Sequence, residues 1–145
     1  MDAEPDGSEE VMRLLQEHVP ALAAGLVQLK GIVRVRGYRT IVAVHSTDRL
    51  ADPVGSCIGE RGIHIKKVVQ RLSGEKIDMV RWSESVERFV RNLIVPALAD
   101  RVVLYPAHRT VCIYTAPDYK SLIIGPNGKR LEMISRLGGL EVASE

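Results

Sequence analysis

The chain is short of several things, and each shortage removes a class of function. Its 145 residues include one Trp, one Phe and four Tyr, too few rings to make base stacking the chief mode of recognition. Its two cysteines, Cys57 and Cys112, form no C-x-x-C pair, and the four histidines lack metal-ligand spacing, so no zinc site of the usual kinds is written here. Both cysteines fall in apolar stretches and are expected to be small buried residues; a disulfide between them is left open. No apolar run approaches the roughly 20 residues that a bilayer span needs. The N-terminus also lacks the basic, apolar and small-residue succession of a secretion signal. A cytoplasmic protein with no membrane partner is expected. There is no G-x-x-x-x-G-K-[ST] loop, and no carboxylate pair or Ser/His/Asp spacing that would carry chemistry. The chain therefore reads as a non-enzyme with no cofactor, no metal and no small-molecule substrate.

Net charge is small as well, formally +2, but it is unevenly spread. Asp2, Glu4, Asp6, Glu9 and Glu10 put −5 into the first ten residues, which hold no base, so the rest of the chain carries +7. A basic body behind an acidic start is compatible with nucleic-acid binding, and equally with an ordinary solvated surface. Residues 1–8, MDAEPDGS, read as an acidic disordered tail.

What the chain does have is one glycine-centred unit, written twice. In residues 52–82, DPVGSCIGERGIHIKKVVQRLSGEKIDMVRW, the loop Gly59-Glu60-Arg61-Gly62 follows the apolar pair Cys57-Ile58. Ile65, Val68, Val69 and Leu72 then recur at helical spacing. Ser73-Gly74 stops that helix, and Lys76 to Trp82 reads as a strand. Residues 122–142, LIIGPNGKRLEMISRLGGLEV, repeat the pattern: Gly125-Pro126-Asn127-Gly128 follows Ile123-Ile124, with Leu131 and Ile134 in the places of Ile65 and Val68. A loop without side-chain bulk lets another backbone come close. The helix after it turns free N–H groups and a positive dipole end toward the loop, which suits a phosphate.

Upstream of each loop the reading is the same. Ser8 is expected to cap a helix running to about His18, which Pro20 ends, with residues 20–25 as a loop. Strands follow over Leu26–Arg36, with Val33 and Val35 alternating against Arg34 and Arg36, and over Arg39–His45, whose run Ile41-Val42-Ala43-Val44 suits burial on both faces. In the second half Ser83 is expected to cap a helix with Val86, Phe89, Val90, Leu93 and Ile94 as its buried face. Strands follow at Asp100–Tyr105 and Arg109–Thr115, then a short helix to Ile124. The expected division is residues 9–82 and 83–145. Units of roughly 65 to 75 residues are small for isolated cores and are expected to pack together. The junction at Trp82-Ser83 is short enough to fix their orientation and set both loops on one face.

The order α-β-β-α-α-β, with G-x-x-G between the last two helices, resembles the type II KH fold. The fold class expected is thus mixed α/β (α+β): two tandem type II KH domains, each with a three-stranded sheet packed on helices. DPVGSCIGERG, GEKIDMVRWS, RFVRNLIVPA and VPALAAGLVQLKGIVRVRGYRTIVAVHS closely resemble the tandem KH region of the NusA transcription factors, over about residues 10–143. With no room for the further domains of the bacterial forms, the chain looks like the short archaeal form.

That resemblance implies a non-catalytic factor binding single-stranded RNA, the nascent transcript, in elongation and termination. RNA polymerase and other transcription factors are the candidate protein partners, although the domain through which bacterial forms chiefly contact polymerase has no place here. The implied RNA-binding residues are Gly59, Glu60, Arg61, Gly62 and Lys66, flanked by Ile58 and Ile65, and in the second loop Gly125, Pro126, Asn127, Gly128, Lys129 and Arg130, flanked by Ile124. Lys67, Arg71 and Lys120 could add charge. Val54 and Ile77, and Leu122, Leu131 and Val142, would complete apolar grooves for bases. His64 reads as a surface histidine without a role, and Glu60 as a carboxylate at odds with a phosphate unless it turns away or pairs with Arg61. The competing readings are a ribosomal RNA-binding or ribosome-assembly protein, an enzyme holding a nucleotide phosphate, a pure protein-interaction module, and, for each loop, a plain helix corner.

Overall fold

Seven helices and six strands emerge in a computed structural model that describes residues 6–144. The expected tail therefore lies mostly outside the described residues. At its end Asp6 accepts from the N–H groups of Ser8 and Arg34, at 2.9 and 3.2 Å. The chain divides into two compact units between Trp82 and Ser83.

In the first unit, α1 (Ser8–His18) starts one residue earlier than expected: Gly7 is the N-cap and Ser8 the first helical residue. Val11, Leu14 and Leu15 form its buried stripe. Residues 20–23, expected as loop, form a one-turn helix, α2 (Pro20–Ala23), because Pro20 at the first position has its φ preset for the turn and Ala21 and Leu22 are buried. β1 (Gln28–Val35) pairs antiparallel with β2 (Arg39–His45). After α3 (Pro53–Ile58), α4 (Ile63–Arg71) and the left-handed pair Ser73-Gly74, the chain returns as β3 (Lys76–Arg81), parallel to β2. β2 is central, and its buried run Thr40–Val44 is the one the sequence marks for burial on both faces. Asp52 caps α3 by accepting from Gly55 N–H at 3.0 Å.

α1, α3 and α4 cover one face of this sheet, with Leu15, Val42, Val44, Cys57 and Val68 at the centre of the core. Val68 is fully buried; removing such a side chain from water stabilises by about 1.5–3 kcal/mol, and a Val68→Asp change would break the packing of α4. Cys57 and Cys112 are free thiols, the first buried and the second half-buried.

Arg34, expected on the polar side of β1, is buried instead. Its guanidinium meets Glu75 through Nε and Nη2 at 2.8 and 3.1 Å, Glu10 at 2.7 Å and the Gly7 carbonyl at 2.9 Å. Glu75 also accepts from Gly37 N–H at 3.0 Å. The cluster ties the start of α1, the β1–β2 hairpin and the α4–β3 turn. Burial alone would raise the Glu75 pKa, but the hydrogen bonds from Arg34 and Gly37 hold it below the ordinary carboxylate value.

The second unit runs α5 (Val86–Ile94), β4 (Ala99–Tyr105), β5 (Thr110–Thr115), α6 (Pro117–Ile124), α7 (Lys129–Gly138) and β6 (Glu141–Ser144). Its sheet repeats the first, β4 antiparallel to β5 and β5 parallel to β6. Ser85, not Ser83, caps α5, because its hydroxyl stands three residues before Arg88 and accepts that N–H at 3.2 Å. Phe89, Val90, Leu93 and Ile94 are buried as their spacing predicts, together with Val111, Ile113, Ile123, Met133 and Ile134.

Candidate nucleic-acid interface

Each glycine loop is a single tight turn between two helices. Gly59 closes α3 with φ 80° and ψ 167°. A 3-10 turn, Glu60–Gly62, follows, in which Arg61 takes φ 56° and ψ 23°. Gly62, at φ 74°, then caps α4. In the second loop Gly125 has φ 73° and ψ 179°, Asn127 φ 55° and ψ 29°, and Gly128 φ 72°. Three of the four residues in each loop therefore have positive φ, and the two loops have nearly the same backbone. The turn is closed by Gly62 N–H to Gly59 O at 3.0 Å and by Gly128 N–H to Gly125 O at 3.2 Å.

Glycine at position 59 is required twice over. Its φ lies in the left-handed region, and a Cβ there would overlap the His64 ring, lying 2.9 Å from Cγ. His64 thus packs over the first glycine, a position the sequence does not reveal.

The residues around the first loop form two recesses that meet at Lys66. One, of about 300 Å³, is lined by Ile58, Gly62, Ile65, Lys66, Val69, Gln70, Ile77 and Met79. Three of the four expected groove residues, Ile58, Ile65 and Ile77, lie there. Val54 does not; it packs against the core. Met79 and Gln70 were missed, although Met79 is two residues beyond Ile77 and so on the same strand face. The other recess, of about 550 Å³, is lined by Glu60, Arg61, Ile63 and Lys66. Ile63 is half exposed there, at 50%. Lys67 and Arg71 are exposed on α4.

In the second loop Pro126 and Asn127 are exposed, Ile124, Lys129 and Leu131 half-buried, and Leu122 and Lys120 exposed. Val142 belongs to the core. Arg130 is engaged away from the loop: its Nη2 donates to the carbonyls of Leu93 and Val95, at 3.1 and 2.9 Å, at the C-terminal end of α5. The guanidinium there satisfies carbonyls that the helix leaves open.

Among the described residues there is no group of three His, Cys, Asp or Glu side chains that could hold a metal ion, and no helix is long and apolar enough to cross a membrane. Burial, with a smaller contribution from Asp52, pushes the Cys57 thiol up to about 11.

Comparison with known proteins agrees with this architecture. The family described as the NusA-like first KH domain matches residues 6–82. The transcription termination/antitermination protein NusA of Thermus thermophilus is 36% identical over 132 residues, covering 91% of this chain and 34% of its own. The protein of that name from Bacillus subtilis is 35% identical over 131 residues, covering 90% and 35%, and that from Rickettsia prowazekii 30% identical over 138 residues, covering 93% and 27%. The chain spans about a third of the length of the curated relatives it matches. The crystal structure of APE1850 has the same fold, with a TM-score of 0.65 and 24% identity, covering 94% of this chain and 96% of that one.

Proposed function

The chain belongs to the NusA-like KH family as a pair of tandem type II KH domains, and from that premise we propose that it is a single-stranded RNA-binding factor of transcription termination, antitermination and elongation. Residues 9–82 and 83–145 are the two proposed binding domains, and the nascent transcript is the proposed ligand. Because termination and antitermination take place at the transcribing polymerase, that enzyme or a factor bound to it is the proposed protein partner.

The observation that supports this most is the near-identity of the two G-x-x-G backbones, each opening onto the start of a helix of nine or ten residues. At the first loop, basic and apolar surfaces meet at Lys66, as a strand with charged phosphates on one side and bases on the other requires. The proposed contacts are Gly59, Arg61, Gly62 and Lys66 to the backbone and Ile58 and Ile65 to a base, with Gly125, Pro126, Asn127, Gly128, Lys129 and Ile124 in the second domain. The test is a Gly59→Asp, Gly125→Asp double variant, in which a carboxylate replaces the open backbone of both loops. Its RNA affinity is expected to fall at least a hundredfold, about 2.7 kcal/mol, as two phosphate sites are lost. An unchanged affinity in a variant with native circular dichroism would refute the reading.

A further inference from the structure

Glu60 is the residue that a plain phosphate clamp does not explain. It lies between the glycines, it is exposed, and among the described residues its carboxylate makes no hydrogen bond and no ion pair, not even with the adjacent Arg61. Nor does it turn away: it lines the same recess as Arg61, Ile63 and Lys66. An anion alone would be repelled by it. A recess holding two cations, one unpartnered acceptor and one exposed apolar side chain fits a ligand that is anionic, carries a hydroxyl donor and has an apolar ring edge. A ribose with its phosphate has all three.

We propose that Glu60 accepts the 2′-hydroxyl of the nucleotide held at the first loop, and so makes this loop select RNA over DNA. The inference rests on the RNA-binding reading above and deepens it. The 2′-hydroxyl is the group by which a protein tells the two nucleic acids apart. A site built to take a hydroxyl rejects the analogue that lacks it, because its own polar group is left unpaired. With deoxyribose, Glu60 would face a phosphate strand with no donor to offset the repulsion. The second loop carries Pro126 in this place, which offers no side-chain acceptor, so sugar selection belongs to the first loop.

The experiment measures binding of the full chain to one short sequence as single-stranded RNA, as DNA and as 2′-O-methyl RNA, at fixed salt. The wild type is expected to favour RNA, with the methylated strand behaving like DNA. Glu60→Ala is expected to lower the RNA-to-DNA affinity ratio about tenfold, the size of one hydrogen bond to a charged acceptor, chiefly through stronger DNA binding. Glu60→Gln keeps an acceptor without the charge and is expected to retain most of the ratio. The assignment is overturned if Glu60→Ala strengthens RNA and DNA binding equally, which is repulsion alone, or if the change follows the base rather than the sugar. The double glycine variant is run alongside. If it binds RNA normally, the loop reading fails and takes Glu60 with it; if it does not bind while Glu60→Ala leaves the ratio untouched, only the Glu60 assignment fails.

Discussion

The two glycine loops have one backbone and two surroundings. Arg61 and Asn127 differ in φ by a single degree, yet one is a long cation and the other a short amide that tolerates the left-handed region. Counting from the first glycine, Glu60 stands opposite Pro126, His64 opposite Arg130 and Lys66 opposite Glu132. The ends of the units away from the loops differ in the same manner. The first is closed by the buried Arg34–Glu75 pair, with 6% and 7% of each side chain exposed; the second has Arg109 donating to the Gly139 carbonyl at 3.1 Å in an exposed bond. The glycines, then, fix the shape of the turn, while the side chains hung on that shape, and the bonds that close each unit, differ between the two domains.

The largest expected break in this comparison is at Arg34. Removing it leaves Glu75 buried and unpaired, so Arg34→Ala is expected to cost about 3–5 kcal/mol in denaturant unfolding, whereas Arg109→Ala should cost under about 1 kcal/mol. Equal losses would show that the buried pair is not what closes the first domain. Because the folded Glu75 carboxyl titrates below its unfolded value, its contribution is fully present above the unfolded value near pH 4.3 and is lost as pH falls through the lower folded value. Stability of the wild type should therefore drop on acidification more steeply than that of Glu75→Gln.

Next in size, Arg130→Ala is expected to destabilise the second domain by about 1–3 kcal/mol, since two α5 carbonyls lose a charged donor. The salt dependence of RNA binding should stay as it is. Lys66→Ala, its counterpart in kind on the first domain, should leave stability unchanged and reduce the slope of log affinity against log salt by about 0.7, one phosphate contact on a single strand. An altered slope for Arg130→Ala would return that side chain to the RNA surface. The smallest effect is the sharpest: Arg61→Gly should stabilise the fold by up to about 1 kcal/mol by relieving a left-handed arginine, yet weaken RNA binding. Asn127→Gly should change both by less.

Much of this could be read from the sequence where the signal is local. The repeat, the Ser73-Gly74 stop and the buried stripe of α5 all follow from spacing within one turn or one strand. What could not be read depends on distant partners. Arg34 sits in an alternating strand that marks it for solvent, and Glu10 and Glu75, which draw it inward, are 24 and 41 residues away. Arg130 follows a glycine loop as a phosphate ligand would, but its acceptors lie 37 and 35 residues back. The cap of α5 went to Ser85 over Ser83 because both serines precede the same apolar stripe and only the geometry of the last turn chooses between them.

Cys57 has a use that its burial creates. With its thiol pushed up to about 11, roughly one molecule in ten thousand carries the reactive thiolate at neutral pH, and none of the side chain is exposed. A thiol reagent must wait for the first domain to open, while half-buried Cys112 offers a separate target on the second. In a Cys112→Ser chain the rate of alkylation would be a chemical clock for the opening of one domain, read without any label being introduced.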